Sequence, residues 1–366
     1  MKILILANEA VGLYSFRREL VQRLVSHGYE VVFSVPNNRI EESVTSLVAL
    51  GARYVQTEYL SRRGTNPTDD LKLLAFYREL LRHECPDVVL TYTIKPNVYG
   101  GIACQAEGIP YLANVTGLGT SIQNGGALQH LTLDLYRRGL AKARLVFFQN
   151  VANKSFFEDN HIVNVPTHLL PGSGVNTSWF KVADYPDRQQ PTTFLTVGRI
   201  MRDKGTVELV EAACEVKSKH LDVRFVLVGP FDESLEDAVR YADSAGVLEY
   251  VPAQSDVRPY YMASHALVHP SYHEGMSNVC LEAAAMGRAV IASNVPGCRE
   301  TFDDGVTGIG FEPRNVESLV GTLEHFIALP WEQKRAMGLA GREKVVREFN
   351  RQIVVDAYMR EIERCG

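Results

Sequence analysis

The chain has 366 residues, of which 46% are hydrophobic, and it carries a formal net charge of −5. A domain usually holds about 100–200 residues, so this length predicts two domains, and the acidic balance argues against bulk binding of nucleic acid. The six cysteines include no C-x-x-C pair, which argues against a zinc ribbon or a redox dithiol, and a disulfide framework is not expected in a chain this long.

Hydrophobic segments are short throughout the chain. A membrane-spanning helix needs about 20 consecutive apolar residues, and runs such as 3–7 and 225–228 fall well below this length. The first run follows Lys2 directly and lacks the cleavage context of a signal peptide. We therefore expect a cytoplasmic protein.

The first half of the chain alternates apolar runs with longer segments of helical period. Strands are predicted at residues 3–7, 30–35, 87–92, 111–115 and 145–149, with helices between them at 16–27, 69–83, 96–107 and 128–143. Uninterrupted apolar strands that alternate with helices are typical of a parallel sheet covered on both faces.

Residues 171–192 interrupt this alternation, because they are rich in glycine, proline and polar side chains, which indicate a linker. The alternation then resumes, with strands at 193–197, 224–228, 266–268 and 289–292, helices at 207–217, 235–245 and 278–286, and a helical period from 316 onwards. The sequence therefore predicts two doubly wound α/β domains. In such sheets ligands bind beyond the carboxyl ends of the strands, so residues that follow strands are the candidates for a site.

The loops after the first strand of each half differ in their chemistry. After the strand at 3–7 the chain has a single glycine, Gly12, rather than G-x-G-x-x-G, and no G-x-x-x-x-G-K-[ST] occurs, so a hydride-transfer enzyme is poorly supported. After the strand at 193–197 come Gly198, Arg199 and Lys204. A guanidinium and an ammonium group at this position suit a diphosphate, although a solvated turn with surface charges has the same composition.

The stretch SYHEGMSNVCLEAAA (271–285) places Glu274 and Glu282 eight positions apart, around Gly275. The helix predicted to begin near 275–278 offers free N–H groups and a positive dipole end to an anion, and Gly275 lets a ligand approach the backbone. Carboxylates accept hydrogen bonds from neighbouring hydroxyls of a sugar. Two plainer roles stay open, with Glu274 as a helix cap and Glu282 as a solvated helix residue.

Three histidines, His265, His269 and His273, recur every four residues, a spacing that would align them on one face of a helix. The segment 266–268 is predicted to be a strand, however, and Pro270 would break a helix. The spacing therefore does not predict a metal site.

The segment HEGMSNVCLE (273–282) resembles the E-x7-E motif of the retaining GT-B glycosyltransferases known as glycosyl transferases group 1, carbohydrate family 4. Further segments resemble the same family, in family order and over nearly the whole chain, at 171–176, 197–205, 227–229, 293–300 and 304–308. The resemblance implies an α/β GT-B fold of two facing, doubly wound Rossmann-like domains. The first (1–172) is implied to bind the acceptor and the second (173–344) the nucleotide-sugar donor, with a C-terminal helix (345–366) that crosses back to the first.

The resemblance also implies a nucleotide sugar as the donor, UDP- or GDP-linked in most members, with no cofactor and no metal ion. The chain has no D-x-D motif, which agrees with metal independence. The implied catalytic residues are Arg199 and Lys204, which would grip the donor diphosphate and stabilise the leaving nucleotide, and Glu274, which would hold the donor sugar. The implied donor-binding set is Gly12, Gly198, Arg199, Lys204, Glu274, Gly275, Met276, Ser277, Asn278 and Glu282, the last of these on the ribose.

The reaction is implied to retain the anomeric configuration, with the leaving phosphate helping to deprotonate the acceptor hydroxyl. Many members carry a histidine in a first-domain loop near the reacting sugar, but the corresponding loop at 114–119 has none. A histidine-assisted mechanism from this loop is therefore not expected, and Asn114 and Thr116 are the candidates for hydrogen bonds there.

Three first-domain segments, at 13–17, 91–100 and 114–119, resemble bacterial enzymes that build O-antigen, capsule or N-glycan precursors. Among these are N-acetylgalactosaminyltransferases that act on undecaprenyl-diphosphate-linked sugars. The resemblance implies UDP-N-acetylgalactosamine or a related UDP-hexose as donor and a polyprenyl-diphosphate-linked glycan as acceptor. The implied acceptor-binding residues are Arg17, Lys95, Asn114 and Thr116, and for the two cations a role as surface charges stays open.

A lipid-linked acceptor implies peripheral contact with the cytoplasmic face of the inner membrane. The segment 71–81 is amphipathic, and Arg62 and Arg63 precede it, which is compatible with an interfacial helix. A helix that only covers the sheet shows the same apolar stripe and is the plainer interpretation.

Two other functions stay open from the residues alone. One is an isomerase like UDP-N-acetylglucosamine 2-epimerase, which also has two α/β domains, and the other is an inactive protein that binds sugar nucleotides. The group 1 segments fit the isomerase less well, and the set of Arg199, Lys204, Glu274 and Glu282 argues against the inactive binder.

Overall fold

Buried apolar strands form the centre of each half of the chain. This computed structural model describes residues 1–36, 41–60, 66–117, 126–232 and 234–365. The contacts divide the chain into two units, one of residues 1–173 with 351–366 and the other of residues 174–350. Each unit is an α/β structure around a parallel sheet, as the sequence predicts.

The first unit holds a parallel sheet in the order β3-β2-β1-β4-β5-β6-β7. Its strands are β1 (Lys2–Leu6), β2 (Glu30–Val35), β3 (Arg53–Gln56), β4 (Val88–Tyr92), β5 (Tyr111–Val115), β6 (Leu145–Phe148) and β7 (Thr167–Leu169). Its helices are α1 (Ala10–Ser26), α2 (Glu41–Ala49), α3 (Pro67–Glu84), α4 (Gly101–Glu107), α5 (Gly126–Leu140), α6 (Val151–Asp159) and, from the end of the chain, α13 (Arg351–Glu363).

Side chains of the central strands alternate between two buried faces. Ile3 and Ile5 pack in one apolar cluster together with Tyr358 of α13, whereas Leu4 and Leu6 pack in a second cluster. The four aliphatic side chains are completely buried. Burial on both faces is the condition of a parallel strand that helices cover on each side, and it explains the uninterrupted apolar runs in the sequence.

The second unit holds a parallel sheet in the order β10-β9-β8-β11-β12-β13. Its strands are β8 (Thr193–Val197), β9 (Arg224–Val228), β10 (Glu249–Val251), β11 (Ala266–His269), β12 (Ala289–Ser293) and β13 (Gly308–Phe311). Its helices are α7 (Thr206–Lys219), α8 (Glu236–Ser244), α9 (Arg258–Ala263), α10 (Asn278–Ala285), α11 (Val316–Ala328) and α12 (Trp331–Glu348).

The strand order reverses at an equivalent point of each sheet. β1 lies between β2 and β4, and β8 lies between β9 and β11. Connections that leave the sheet towards opposite sides open a crevice at the carboxyl ends of the strands, where α/β proteins bind ligands. In the second unit this crevice lies at the ends of β8 and β11, which carry the charged loops singled out in the sequence.

The range 345–366, predicted as one helix, holds the last residues of α12 (Trp331–Glu348) and the whole of α13 (Arg351–Glu363). The predicted helix boundary was therefore wrong. The N–H of Val175 donates to the carbonyl of Phe349 at 2.8 Å, and Asn350 forms a β-bridge with Val175. The Phe349 N–H still donates to the Val345 carbonyl at 2.9 Å, but its own carbonyl accepts from Val175, so α12 ends here. α13 then packs in the first unit, where Arg351 Nη1 donates to the Glu19 carboxylate at 2.7 Å.

The strands that sequence analysis missed, β3, β7, β10 and β13, are short and lie at or near the sheet edges. The predicted linker at 171–192 contains neither helix nor strand. Across the residues that the structure describes, none of the helices combines the length and the hydrophobicity of a membrane span. α3 contains the amphipathic segment 71–81 and buries Leu73 and Tyr77 while it exposes Leu71, and the basic pair at 62 and 63 lies outside the described residues.

Candidate active site

The loops after β8 and β11 meet at the crevice of the second unit. Gly205 ends the loop after β8 with a φ of +69°, and a Cβ atom there would lie 2.1 Å from the carbonyl oxygen of Pro270. The N–H of Tyr272 donates to the carbonyl of Asp203 at 2.9 Å. Only glycine fits at position 205, and this close approach of the two loops is what brings the charged side chains of each within reach.

Lys204, His269 and Glu274 form one hydrogen-bonded group. His269 is the last residue of β11, and its Nε2 atom lies 2.9 Å from Glu274 Oε1. The ammonium group of Lys204 contacts the same oxygen atom. The carboxylate is thus held between a buried strand residue and a turn residue whose side chain is 23% exposed.

The environment of Glu274 sets its ionisation. Burial by itself raises the pKa of this carboxyl group, because the charged form loses solvation. Lys204 and His269 outweigh the effect of burial and hold the pKa well below its ordinary value. Glu274 is therefore ionised at neutral pH, which suits a group that accepts hydrogen bonds from sugar hydroxyls.

The turn after β12 supports the backbone of Glu274 from the other side. Gly297 has a φ of +84°, and a Cβ atom there would lie 2.6 Å from the Glu274 carbonyl oxygen. The N–H of Gly297 donates to the Glu300 carboxylate at 2.7 Å, and its carbonyl accepts the N–H of Ser277 at 2.7 Å. This turn belongs to the family-like segment 293–300 and has a structural role in the site.

Some residues at the start of α10 make contacts that stabilise the fold. The Ser277 hydroxyl caps the helix, because it accepts a hydrogen bond from the Cys280 N–H at 3.4 Å. The Ser277 N–H donates to the Gly297 carbonyl. Met276 is buried in an apolar cluster. These two predicted donor-binding residues therefore serve the fold in this structure, whereas the Asn278 Oδ1 atom is buried and finds no hydrogen-bond partner among the described residues.

Glu282 is held in place rather than solvated. The Tyr261 hydroxyl donates to Glu282 Oε2 at 3.1 Å, and Tyr261 is completely buried. Arg288, also completely buried, donates from Nε to the Tyr261 carbonyl at 2.9 Å and fixes the end of α9. Sequence analysis missed Tyr261 and Arg288, because only their tertiary hydrogen bonds reveal the connection to Glu282.

Arg199 lies directly after Gly198 in the loop that follows β8. Its guanidinium group forms an ion pair with Asp232, and the two side chains are 38% and 25% exposed. Both side chains of the pair are therefore partly accessible to solvent. Arg199 and Lys204 thus share one loop, each paired with an acidic residue from another loop.

The three regularly spaced histidines have separate surroundings. His265 Nδ1 accepts the N–H of Thr193 at 3.1 Å, and His273 Nε2 lies 3.9 Å from a carboxylate oxygen of Asp203. Within the described part of the chain, no group of three or more histidine, cysteine or acidic side chains is arranged to hold a metal ion. His269 belongs to the candidate site through Glu274, a role that sequence analysis did not predict.

In the first unit, Arg17 is buried on α1 with only 4% of its surface exposed, so its interpretation as a surface cation is wrong. The guanidinium carbon lies 4.9 Å from the ring centre of Tyr92 and 5.9 Å from that of Tyr358. Arg17 Nε is buried and has no hydrogen-bond partner among the residues that the structure describes. Gly12, expected in the loop after β1, lies inside α1.

The other first-unit candidates are Lys95, Asn114 and Thr116, which differ in their contacts and burial. Lys95 Nζ donates to Asp70 Oδ1 at 2.7 Å. Asn114 is completely buried, and its amide nitrogen donates to the Tyr358 hydroxyl at 2.7 Å. Thr116 is half-buried directly after β5, and the end of its loop, at 118–119, lies outside the described residues.

Two sequence profiles match the chain. Residues 12–172 match the profile of a glycosyl transferase 4-like domain, and residues 191–328 match the profile of glycosyl transferases group 1. The second match includes Arg199, Lys204, Glu274 and Glu282. Together the two profiles extend over most of both units.

Relatives of the chain are also named as glycosyltransferases. The chain is 26% identical over 382 aligned residues to the N,N'-diacetylbacillosaminyl-diphospho-undecaprenol alpha-1,3-N-acetylgalactosaminyltransferase of Campylobacter jejuni, with 100% of this chain and 99% of that protein covered. It is 28% identical over 163 residues to the capsular polysaccharide biosynthesis glycosyltransferase CapM of Staphylococcus aureus, which covers 43% of this chain and 42% of CapM.

Solved structures share the fold. Sucrose-phosphate synthase from Thermosynechococcus elongatus has a TM-score of 0.83 at 21% identity, with 100% of this chain and 98% of that chain covered. HepE from Anabaena, in complex with UDP-glucose, has a TM-score of 0.78 at 16% identity, with both chains covered completely. The predicted GT-B fold and the family resemblance are confirmed, and the matches argue against the isomerase. The chain is a glycosyltransferase, with a glycosyl transferase 4-like first domain and a group 1 second domain.

Proposed function

We propose that this glycosyltransferase moves a hexose, N-acetylgalactosamine or a related sugar, from a UDP-sugar to a glycan linked to polyprenyl diphosphate. The reaction retains the anomeric configuration, needs no metal ion or other cofactor, and serves the synthesis of cell-surface polysaccharide or glycan precursors. The observation that carries the proposal is the group of Lys204, His269 and Glu274 at the crevice of the second unit. The name of the Campylobacter relative supports the choice of sugar and acceptor.

Two cations of one loop bind the donor diphosphate. Arg199 and Lys204 each pair with a single carboxylate, Asp232 and Glu274, at a partly exposed position. A diphosphate carries more negative charge than one carboxylate, and a guanidinium group can bind it through two parallel hydrogen bonds. The two cations then stabilise the charge that develops on the leaving UDP, which is the electrostatic task that a metal ion performs elsewhere.

Two carboxylates bind the hydroxyls of the donor. Glu282, oriented by the Tyr261 hydroxyl, accepts hydrogen bonds from the ribose. Glu274, ionised and fixed by two partners, accepts hydrogen bonds from the sugar that is transferred. The leaving phosphate takes the proton of the acceptor hydroxyl on the same face of the sugar, so the configuration is retained without a protein nucleophile.

The acceptor diphosphate binds at the carboxyl edge of the first sheet. Arg17 Nε and Thr93 Oγ1 are buried there without hydrogen-bond partners among the described residues. Thr93 has a φ of +73°, a strained conformation for a β-branched residue that is typical of functional sites. A buried cation with an unused donor is stabilised by an anion. Lys95 and Thr116 contribute further hydrogen bonds, and Asn114 contributes indirectly, through its buried hydrogen bonds.

A polyprenyl acceptor requires the protein to reach the membrane surface. α3 exposes Leu71 and Lys72, and the ammonium nitrogen of Lys72 lies 5.4 Å from the ring centre of Tyr59. An apolar, a basic and an aromatic side chain together suit the interface of a bilayer. The enzyme therefore works as a peripheral protein on the cytoplasmic face of the inner membrane.

Release of UDP from UDP-N-acetylgalactosamine, measured with and without an undecaprenyl-diphosphate-linked sugar, tests the proposal. We expect release that depends on the acceptor, a product heavier by one N-acetylhexosamine, an α-linkage by NMR, and no effect of EDTA. Interconversion of the sugar nucleotide without acceptor would instead indicate an isomerase. Binding of UDP without either reaction would indicate an inactive binder.

A further inference from the structure

His269 is held more firmly than Lys204, although both contact the same oxygen atom of Glu274. His269 ends a central strand that pairs with β8 and β12, and it is 4% exposed. Lys204 reaches Glu274 from a short turn, through a flexible side chain that is 23% exposed. A lysine side chain has far more rotamer freedom than a buried imidazole. His269 is therefore the fixed partner of the carboxylate, and Lys204 is the exchangeable one.

Donor binding changes the surroundings of Glu274. When Lys204 turns to the diphosphate, the largely buried carboxylate loses a cation, and each partner that remains becomes more important to its stability. The strand that carries His269 does not depend on the ligand, so Nε2 stays within hydrogen-bond distance of Glu274 Oε1.

We propose that His269 is a positioning residue that keeps the Glu274 carboxylate oriented towards the donor sugar while Lys204 binds the diphosphate. This inference rests on the proposed donor site and adds a residue that the E-x7-E motif does not contain. The role explains why a histidine lies at the carboxyl end of a strand whose other side chains, Ala266, Leu267 and Val268, are apolar.

The role predicts an effect on the sugar rather than on the nucleotide. Glu274 serves the hydroxyls of the transferred sugar, whereas Arg199 and Glu282 serve the diphosphate and the ribose. The sugar-specific part of donor binding is the Kd for UDP divided by the Kd for UDP-N-acetylgalactosamine. Loss of His269 lowers this ratio and lowers kcat, while the affinity for UDP alone stays close to that of the wild type.

Two substitutions at position 269 test the hydrogen bond. His269→Leu removes the donor, and His269→Gln keeps an N–H at a similar distance from the backbone. We expect His269→Leu to lower the ratio roughly tenfold, the effect of losing a hydrogen bond to a charged group, and to lower kcat more than it raises KM. His269→Gln restores most of both quantities. If His269→Leu does not fold, His269→Asn, whose shorter amide does not reach Glu274, replaces it.

A histidine at the other end of the same strand provides the matched control. His265 precedes β11, is buried, and accepts the N–H of Thr193. His265→Asn disturbs the strand but not Glu274, so it lowers the melting temperature and leaves the binding ratio unchanged. The control separates a loss of stability from a loss of positioning.

The outcomes separate this inference from the donor site on which it rests. If the wild type binds UDP and His269→Leu leaves both the ratio and kcat unchanged, or weakens UDP and UDP-N-acetylgalactosamine equally, the inference is wrong and the donor site stands. If His269→Gln is as impaired as His269→Leu, the hydrogen bond is not the cause and the inference is again wrong. A wild type that binds neither UDP nor any UDP-sugar would overturn the donor site and this inference together.

Discussion

Charged and polar side chains at the crevice of the second unit are arranged differently from those at the carboxyl edge of the first sheet. Arg199 and Lys204 form ion pairs that are partly exposed, and we propose that a ligand exchanges for their carboxylate partners. Arg17 and Asn114 are buried, Arg17 against aromatic rings and Asn114 in hydrogen bonds. A position after a strand thus determines the edge of the sheet at which a residue lies, whereas tertiary packing determines how far its side chain is exposed.

The largest effect is expected at Glu274. Glu274→Ala removes the carboxylate that holds the transferred sugar, and we expect kcat/KM to fall about a thousandfold, as for other groups that stabilise a transition state. Steady-state UDP release measures the loss. Glu332→Ala, at an exposed glutamate of the same unit, is the control and should retain full activity. Equal activity of the two variants would place the sugar elsewhere.

The cations of the donor loop come next. Arg199→Met and Lys204→Met each remove one charge from the diphosphate site, so kcat/KM should fall about a hundredfold and the Kd for UDP should rise. Titration calorimetry with UDP checks the second effect. If either variant binds UDP as the wild type does, its cation does not contact the diphosphate.

Arg17 tests the buried side of the comparison. Arg17→Met keeps the apolar stem but removes the charge, so the KM for the lipid-linked acceptor should rise about tenfold, while the Kd for UDP-N-acetylgalactosamine stays unchanged. Acceptor titration at saturating donor provides the KM. An unchanged KM in a folded variant would mean that Arg17 serves only the core of the first unit.

The pH dependence of stability sharpens the description of the donor site. The folded-state pKa of Glu274 lies below its ordinary value, so its ion pair stabilises the fold above about pH 4.3. This stabilisation is lost as the pH falls from that value towards the lowered pKa. Lys204→Met should therefore lower the free energy of unfolding at pH 7 by about 1–3 kcal/mol, and its difference from the wild type should shrink below pH 4. Urea unfolding at pH 7, 4 and 3 measures both, and a difference independent of pH would contradict the ion pair.

The smallest effect is expected at Tyr358. Tyr358→Phe removes the hydroxyl that accepts from the Asn114 amide at 2.7 Å, so the free energy of unfolding should fall by about 1 kcal/mol. Tyr77→Phe is the matched control, because its buried hydroxyl has no hydrogen-bond partner within the described ranges. Urea unfolding should show no loss for the control. Equal losses in both variants would mean that the Asn114 contact contributes nothing.

Much of the fold could be predicted from the sequence because central parallel strands are buried on both faces. Runs such as 3–7 and 193–197 are apolar throughout and differ clearly from the helices that follow them. Edge strands such as β10 are only three residues long and give no such pattern. The break between α12 and α13 depends on a contact with Val175, far away in the sequence, so local periodicity could not reveal it.

The candidate site was predictable where its residues follow strands or share a motif. Spacing located Lys204, Glu274 and Glu282, whereas the role of His269 was hidden, because its partner is determined by the direction of a side chain rather than by spacing. Tyr261 and Arg288 were missed for the same reason. Arg17 was expected near a helix start but lies well inside α1 (Ala10–Ser26), and its guanidinium group packs against Tyr358 of α13, which returns from the end of the chain.

The central claim, that the second unit binds a UDP-sugar, is tested most directly by thermal unfolding with UDP, GDP, ADP and their sugar conjugates. A ligand at 100 times its Kd stabilises the native state by about 2.7 kcal/mol, which is readily measured. We predict a shift with UDP, a larger one with UDP-N-acetylgalactosamine, and loss of both in Glu282→Ala. A shift with GDP alone would contradict the choice of nucleotide, and no shift with any nucleotide in folded protein would contradict the donor site itself.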